Sequence, residues 1–60
     1  MPIIHIEILE GRSDEKVREL INGITEITVQ TLNVKPDQVR VIIHPIPRRY
    51  WGVGGITKEE

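Results

Sequence analysis

Residues 13–32 read SDEKVRELINGITEITVQTL, and the fold turns on this stretch. Val17, Leu20, Ile21, Ile24, Ile27, Thr28 and Thr31 recur at three- and four-residue steps, which is one face of a helix. Ser13 suits an N-cap, and Asp14 and Glu15 put two carboxylates in the first turn, where the helix dipole favours them. Asn33 tolerates a left-handed cap, and Pro36 forbids continuation. The pattern predicts a helix over 14–32, about 30 Å long at roughly 1.5 Å per residue.

Both flanks of the helix change period. Upstream, Ile4, Ile6 and Ile8 alternate with His5, Glu7 and Leu9, which predicts a strand over 2–9 broken by Glu10-Gly11-Arg12. Downstream, Val39, Val41 and Ile43 alternate with Arg40, Ile42 and His44, giving a second strand that Pro45 and Pro47 should close. Strand, long helix, strand is a βαβ unit with parallel strands and a right-handed crossover. The tail Tyr50-Trp51-Gly52-Val53-Gly54-Gly55 has the glycines of a short hairpin, and Thr57-Lys58-Glu59-Glu60 should be loose. The expectation is a single α/β domain over 1–60, a β-α-β subunit with a C-terminal hairpin.

Sixty residues make a thin domain. A chain this short buries only about 60% of its unfolded surface. It has no Cys for a disulfide, and no Cys/His spacing resembles a structural zinc site. Oligomerisation is the remaining support for so small a core. The chain is rich in Ile and Val and has no Phe, and such side chains want a sheet covered on both faces. A two-stranded sheet under one helix leaves one face bare and both edges open. Pairing copies edge to edge into four-stranded sheets, in a closed homo-oligomer, is therefore expected. Net charge is -1, which argues against nucleic acid and membrane surfaces as partners. Glu7 and Glu10 interrupt the N-terminal apolar run, so no signal peptide is read and a cytoplasmic location is expected.

Pro2 is the candidate of greatest chemical interest. It follows Met1 directly, and a small second residue is what an aminopeptidase needs to remove the first. Removal leaves a prolyl secondary amine, a compact base whose working range burial or nearby positive charge can tune. The plain alternative is a Pro that merely opens a strand. Arg12 lies in the turn before the helix cap. Arg40 lies inside the second strand on the face opposite Val39, Val41 and Ile43, where a guanidinium needs an anion, be it a ligand or Glu7 or Glu10 across an interface. Trp51 is the only Trp, as fit for a core or interface anchor as for a site wall. His5 and His44 have no ligand partner at metal-site spacing and read as ordinary surface or interface residues. Arg48-Arg49 reads as a solvated basic pair, and Gly52, Gly54 and Gly55 form no phosphate loop, because no Lys-Ser/Thr and no helix follow them.

Met1-Pro2-Ile3-Ile4, Leu9-Glu10-Gly11-Arg12-Ser13-Asp14-Glu15, Val39-Arg40-Val41-Ile42-Ile43 and Tyr50-Trp51-Gly52-Val53-Gly54-Gly55 together resemble the 4-oxalocrotonate tautomerase family across essentially the whole chain. The resemblance implies a hexamer of short β-α-β subunits and a cofactor-free, metal-free isomerase. Its substrate would be a small conjugated 2-hydroxy or 2-oxo dicarboxylate, of the type converted from 2-hydroxymuconate to 2-oxo-3-hexenedioate in aromatic-ring degradation. It implies Pro2 as general acid/base and Arg12 as holder of the distal carboxylate. Arg40, from a neighbouring subunit, would bind the other carboxylate and polarise the keto oxygen. Trp51 would be the apolar wall that, with the two guanidinium groups, lowers the amine pKa. Trp51 stands where the family usually has Phe, or in some members Trp, and His44-Pro45 and Arg48-Arg49 make the preceding segment more basic and more rigid. Relatives with these motifs include dehalogenases and members serving antibiotic biosynthesis. The competing reading is a catalytically silent oligomer that binds a small anion or scaffolds a partner; loss or retention of Met1 separates the two.

Overall fold

The computed structural model describes residues 1–59, so Glu60 of the expected loose tail lies outside the described residues. The chain runs β1 (Ile3–Leu9), α1 (Asp14–Leu32), a 3-10 turn at Pro36–Gln38, β2 (Arg40–Ile46), a second 3-10 turn at Arg48–Tyr50, then β3 (Gly52–Val53) and β4 (Ile56–Thr57). Both helix ends form as their residues dictate. Ser13 is extended, and its hydroxyl accepts from the Lys16 N–H at 3.2 Å. Asn33 takes the left-handed conformation at φ 56. On the packed face, Thr25 and Thr28 donate their hydroxyls to the Ile21 and Ile24 carbonyls at 2.8 and 2.7 Å, so two polar groups sit there satisfied.

β1 and β2 pair in parallel, with Ile3 beside Arg40, Ile6 beside Ile43 and Leu9 beside Ile46. Two bonds bracket this ladder: Arg40 N–H to the Pro2 carbonyl at 3.1 Å, and Glu10 N–H to the Ile46 carbonyl at 3.0 Å. They set its parity. Even-numbered residues of both strands turn their main-chain groups toward each other, and odd-numbered ones turn theirs to the open edges. Pro45 therefore does not close the second strand as expected. It sits inside β2 because the N–H it lacks would have faced the outer edge, where no bond is lost. The outer edge of β1 carries no proline over its seven residues.

Ile4, Ile6, Ile8, Val41 and Ile43 are half-buried on the face of the sheet that α1 covers, and Val17, Ile21, Ile24 and Val29 of α1 are half-buried in turn. Val39, in the link between the first 3-10 turn and β2, is the one buried residue among those described, at 8% exposure. Leu20 and Ile27, read from the sequence as part of the packed stripe, stay exposed on the flank of the helix, as does Leu32 at its end. The other face of the sheet, with Ile3, His5, Glu7, Arg40, Ile42 and His44, is bare.

Gly54 and Gly55, with φ of 62 and 85, turn β3 back onto β4, the double positive φ of a hairpin turn. Tyr50, Val53 and Ile56 of this arm are 70%, 65% and 63% exposed, so it packs on little of its own chain. Thr57, expected in the loose tail, belongs to β4. The radius of gyration is 14.2 Å, against about 10 Å for a compact domain of this length. The single chain is a slab of 43 × 23 × 13 Å with one buried apolar residue among those described.

Candidate active site

The ladder decides where the four candidate residues go. Pro2 sits just ahead of β1, tied to β2 by the bond from the Arg40 N–H. Met1, in front of it, is 80% exposed, which leaves the Met1–Pro2 bond open to a peptidase. Arg40 begins β2, so Pro2 and Arg40 share the end of the sheet where both strands start. Their parity differs. Pro2 is half-buried in line with the helix-facing Ile4, whereas the Arg40 side chain leaves from the bare face. The Arg40 Nη1 donates to the Asp37 carbonyl at 2.8 Å and to the Val39 carbonyl at 3.5 Å. Within the chain, carbonyls hold this guanidinium, and neither Glu7 nor Glu10 does. The turn that supplies Asp37 is itself pinned by the Gln38 side chain, which accepts from the Lys35 N–H at 3.0 Å.

Arg12 and Trp51 lie at the opposite end. Leu9 is followed by Glu10 and then by Gly11, whose φ of 116 is open to glycine and strained for other residues. Arg12 comes next, exposed, with Nη1 donating to the Leu9 carbonyl at 3.4 Å. Trp51 follows the second 3-10 turn past the end of β2, half-buried, its N–H on the Arg48 carbonyl at 3.2 Å and its carbonyl taking the Lys58 N–H at 2.9 Å. Beside it the Arg49 guanidinium lies 4.7 Å over the Tyr50 ring. Ile3 to Leu9 alone spans about 20 Å at roughly 3.3 Å per residue. One chain therefore brings Pro2 and Arg40 to one end and Arg12 and Trp51 to the other, and joins neither pair to the other.

A shallow groove of about 230 Å³ opens between α1 and the first 3-10 turn, lined by Asn22, Thr25, Glu26, Val29, Gln30 and Pro36. None of the four candidates lines it. Among the described residues no helix is long and apolar enough to cross a membrane. Sequence reasoning passed over one juxtaposition: the rings of His5 and His44, far apart in the chain, lie 5.9 Å apart on the bare face. Only the strand register could have revealed it.

Residues 2–60 match the family model described as "Tautomerase enzyme". The chain is 37% identical over 60 residues to the 2-hydroxymuconate tautomerase of Comamonas testosteroni, covering 100% of this chain and 95% of that protein. Among solved structures, it is similar to a 4-oxalocrotonate tautomerase isozyme from Methylibium petroleiphilum, at TM-score 0.93 and 43% identity, over 97% of this chain and 91% of the other. It is also similar to a heterohexamer 4-oxalocrotonate tautomerase from Chloroflexus aurantiacus, at TM-score 0.94 and 37% identity, over 100% and 97% of the two chains.

Proposed function

The chain belongs to the tautomerase enzyme family, a family of keto-enol isomerases, and from that premise we propose that it moves a proton along a conjugated 2-hydroxy or 2-oxo dicarboxylate of the 2-hydroxymuconate type. The base is the secondary amine of Pro2, freed by loss of Met1. It accepts the proton of the substrate hydroxyl as the electron pair moves along the conjugated system, then returns a proton to a distant carbon. Atoms and charge balance within the substrate, so the reaction consumes nothing. Arg40 neutralises the carboxylate and the oxygen beside the reacting centre, where negative charge develops. Arg12 holds the remote carboxylate, as a planar guanidinium does best. Trp51 thins the water around the amine.

One observation carries this reading: the Arg40 N–H bonded to the Pro2 carbonyl at 3.1 Å, which fixes the base and the start of the charged strand at one end of the sheet. The opposite-end position of Arg12 and Trp51 then makes the working site a property of more than one copy. The β1 edge, free of proline, suits antiparallel pairing with its two-fold mate, whereas Pro45 spoils the β2 edge. Antiparallel pairing of β1 with a second β1 carries the Arg12 end of each chain toward the Pro2 end of the other. Because Arg40 and Pro2 leave opposite faces of their own sheet, the guanidinium that meets a given amine comes from a neighbouring copy. A homohexamer accommodates both demands, in keeping with the six-chain assembly of the Chloroflexus aurantiacus relative.

The test is mass spectrometry of the purified chain together with turnover of 2-hydroxymuconate. Loss of Met1 with ultraviolet-detected isomerisation is expected. A folded oligomer that has lost Met1 yet turns over no conjugated 2-hydroxy dicarboxylate overturns the assignment.

A further inference from the structure

We propose that the flank of α1 carrying Leu20 and Ile27 docks on the same flank of a second copy, and that this helix seam sets the register in which two β1 edges pair. The inference rests on the edge pairing of the assembly proposed above, and not on the identity of the substrate. Leu20 and Ile27 are 38% and 58% exposed, although they belong to the apolar stripe of the helix. The fold puts both on one side. Thr25 and Val29, on the other flank of the stripe, line a groove together with Pro36 of the first 3-10 turn, and that turn leads into β2. Leu20 and Ile27 therefore overhang the β1 side, toward the edge that is free of proline. On that side Ile4, Ile6 and Ile8 of β1 are only half-buried.

A continuous sheet leaves the two flanks no room to stay apart. Neighbouring strands lie about 4.8 Å apart, so when β1 pairs with a second β1 the centres of the two β1–β2 pairs stand about 9.6 Å apart. Each pair carries its own helix, and packed helices stand about 8–10 Å apart axis to axis. The helices then touch, and the two-fold that makes the strands antiparallel makes the helices antiparallel as well. Their register follows from the fold. α1 runs back from the Leu9 end of β1 to the level of Arg40, which lies beside Ile3, so its midpoint Gly23 stands level with Ile6, the midpoint of β1. A two-fold at that level sets Leu20, three residues before the helix midpoint, against Ile27 of the second copy, four residues after it. Edge pairing alone specifies register weakly, because a slip of two residues, about 6.6 Å, keeps every side chain on its own face. The Leu20–Ile27 contact selects one register, and with it the placing of the Arg12 end of one chain against the Pro2 end of the other.

The chain has no cysteine, so the double variant Leu20→Cys/Ile27→Cys reports the seam on oxidation of the assembled protein. Within one helix the two positions are about 10.5 Å apart at roughly 1.5 Å per residue, beyond the about 7 Å that a disulfide spans. A covalent dimer at twice the chain mass is therefore expected from the double variant. Neither single variant should give one, because like positions stand about as far apart across the two-fold. Amide exchange of the odd-numbered β1 residues, whose N–H groups face the open edge, reads the strand pairing separately. Protected edge amides with no covalent dimer from the double variant overturn the seam and leave the pairing standing, whereas unprotected edge amides overturn both. Equal dimer yield from a single variant overturns the register. Neither readout uses turnover, so a cross-linked protein that isomerises nothing refutes the substrate assignment alone. Should the double variant fail to fold, the wild-type protein decides in a half-labelled sample. A nuclear Overhauser contact between Leu20 and Ile27 methyls of different chains supports the seam, and its absence from the assembled protein refutes it.

Discussion

Two inactive variants mixed together should recover activity that neither has alone. In one, Pro2→Ala removes the base. In the other, Arg12→Ala removes the remote anchor. Pro2 and Arg12 of one chain flank a strand about 20 Å long, too far to grip one small dicarboxylate, so the proposed site draws them from different chains. Random mixing of equal amounts gives an intact Pro2 at half the sites, and half of those meet an intact Arg12, so about a quarter of all sites work, whichever closed assembly forms. Loss of hydrogen bonds to a charged group costs about 1.5–3 kcal/mol, or about 10- to 150-fold in kcat/KM. The Arg12→Ala chains, half of the sample, then contribute about 5% or less on their own. The assay is kcat/KM at substrate well below KM, after unfolding and refolding the mixture, with native mass spectrometry to show that the chains have exchanged. Activity near a quarter of wild type is expected. Activity equal to the sum of the two parents, in an exchanged sample, refutes the division of the site between copies.

Light scattering at micromolar concentration should find a closed oligomer, most simply a hexamer; a folded monomer contradicts the assembly. Pro2→Ala with Met1 removed should lose activity steeply while circular dichroism stays that of wild type, and unchanged turnover takes Pro2 out of the mechanism. Arg40→Ala should lower kcat by about 10²–10³-fold, the loss typical of a deleted oxyanion donor, with its assembly checked first. Intact kcat in an assembled Arg40→Ala variant would make this residue an interface ion-pair partner. Ser13→Ala should cost about 1 kcal/mol in urea unfolding, because the Lys16 N–H loses its acceptor.

The elements that local chemistry governs were legible in the sequence. Ser13 and Asn33 bounded α1 at 14–32, and the alternating isoleucines marked β1. What could not be read depends on neighbours. Pro45 looked like a stop because nothing in the sequence says which edge of a strand its missing N–H will face. Leu20 and Ile27 widened the apolar stripe without announcing that their own chain leaves them uncovered. Pro2, Arg12, Arg40 and Trp51 stand out by their places in the predicted elements, and the family resemblance implies their roles, but their division between two ends of the sheet follows from strand direction alone. The His5–His44 pair is likewise a product of register.

Pro45 also sets how many bonds the subunit can form as a building block. In polymer terms, a two-stranded sheet with two free edges is a bifunctional monomer, and bifunctional monomers grow without limit into fibres. In the assembly proposed above, an outer β2 edge missing one donor would reduce the functionality to one, so that edge-to-edge growth would end at the pair. Further association in that assembly would proceed through faces and through the hairpin arm, which can close on themselves by rotation. On this proposal a single pyrrolidine ring would act as a chain terminator, separating a finite particle from an endless ribbon built of the same subunit.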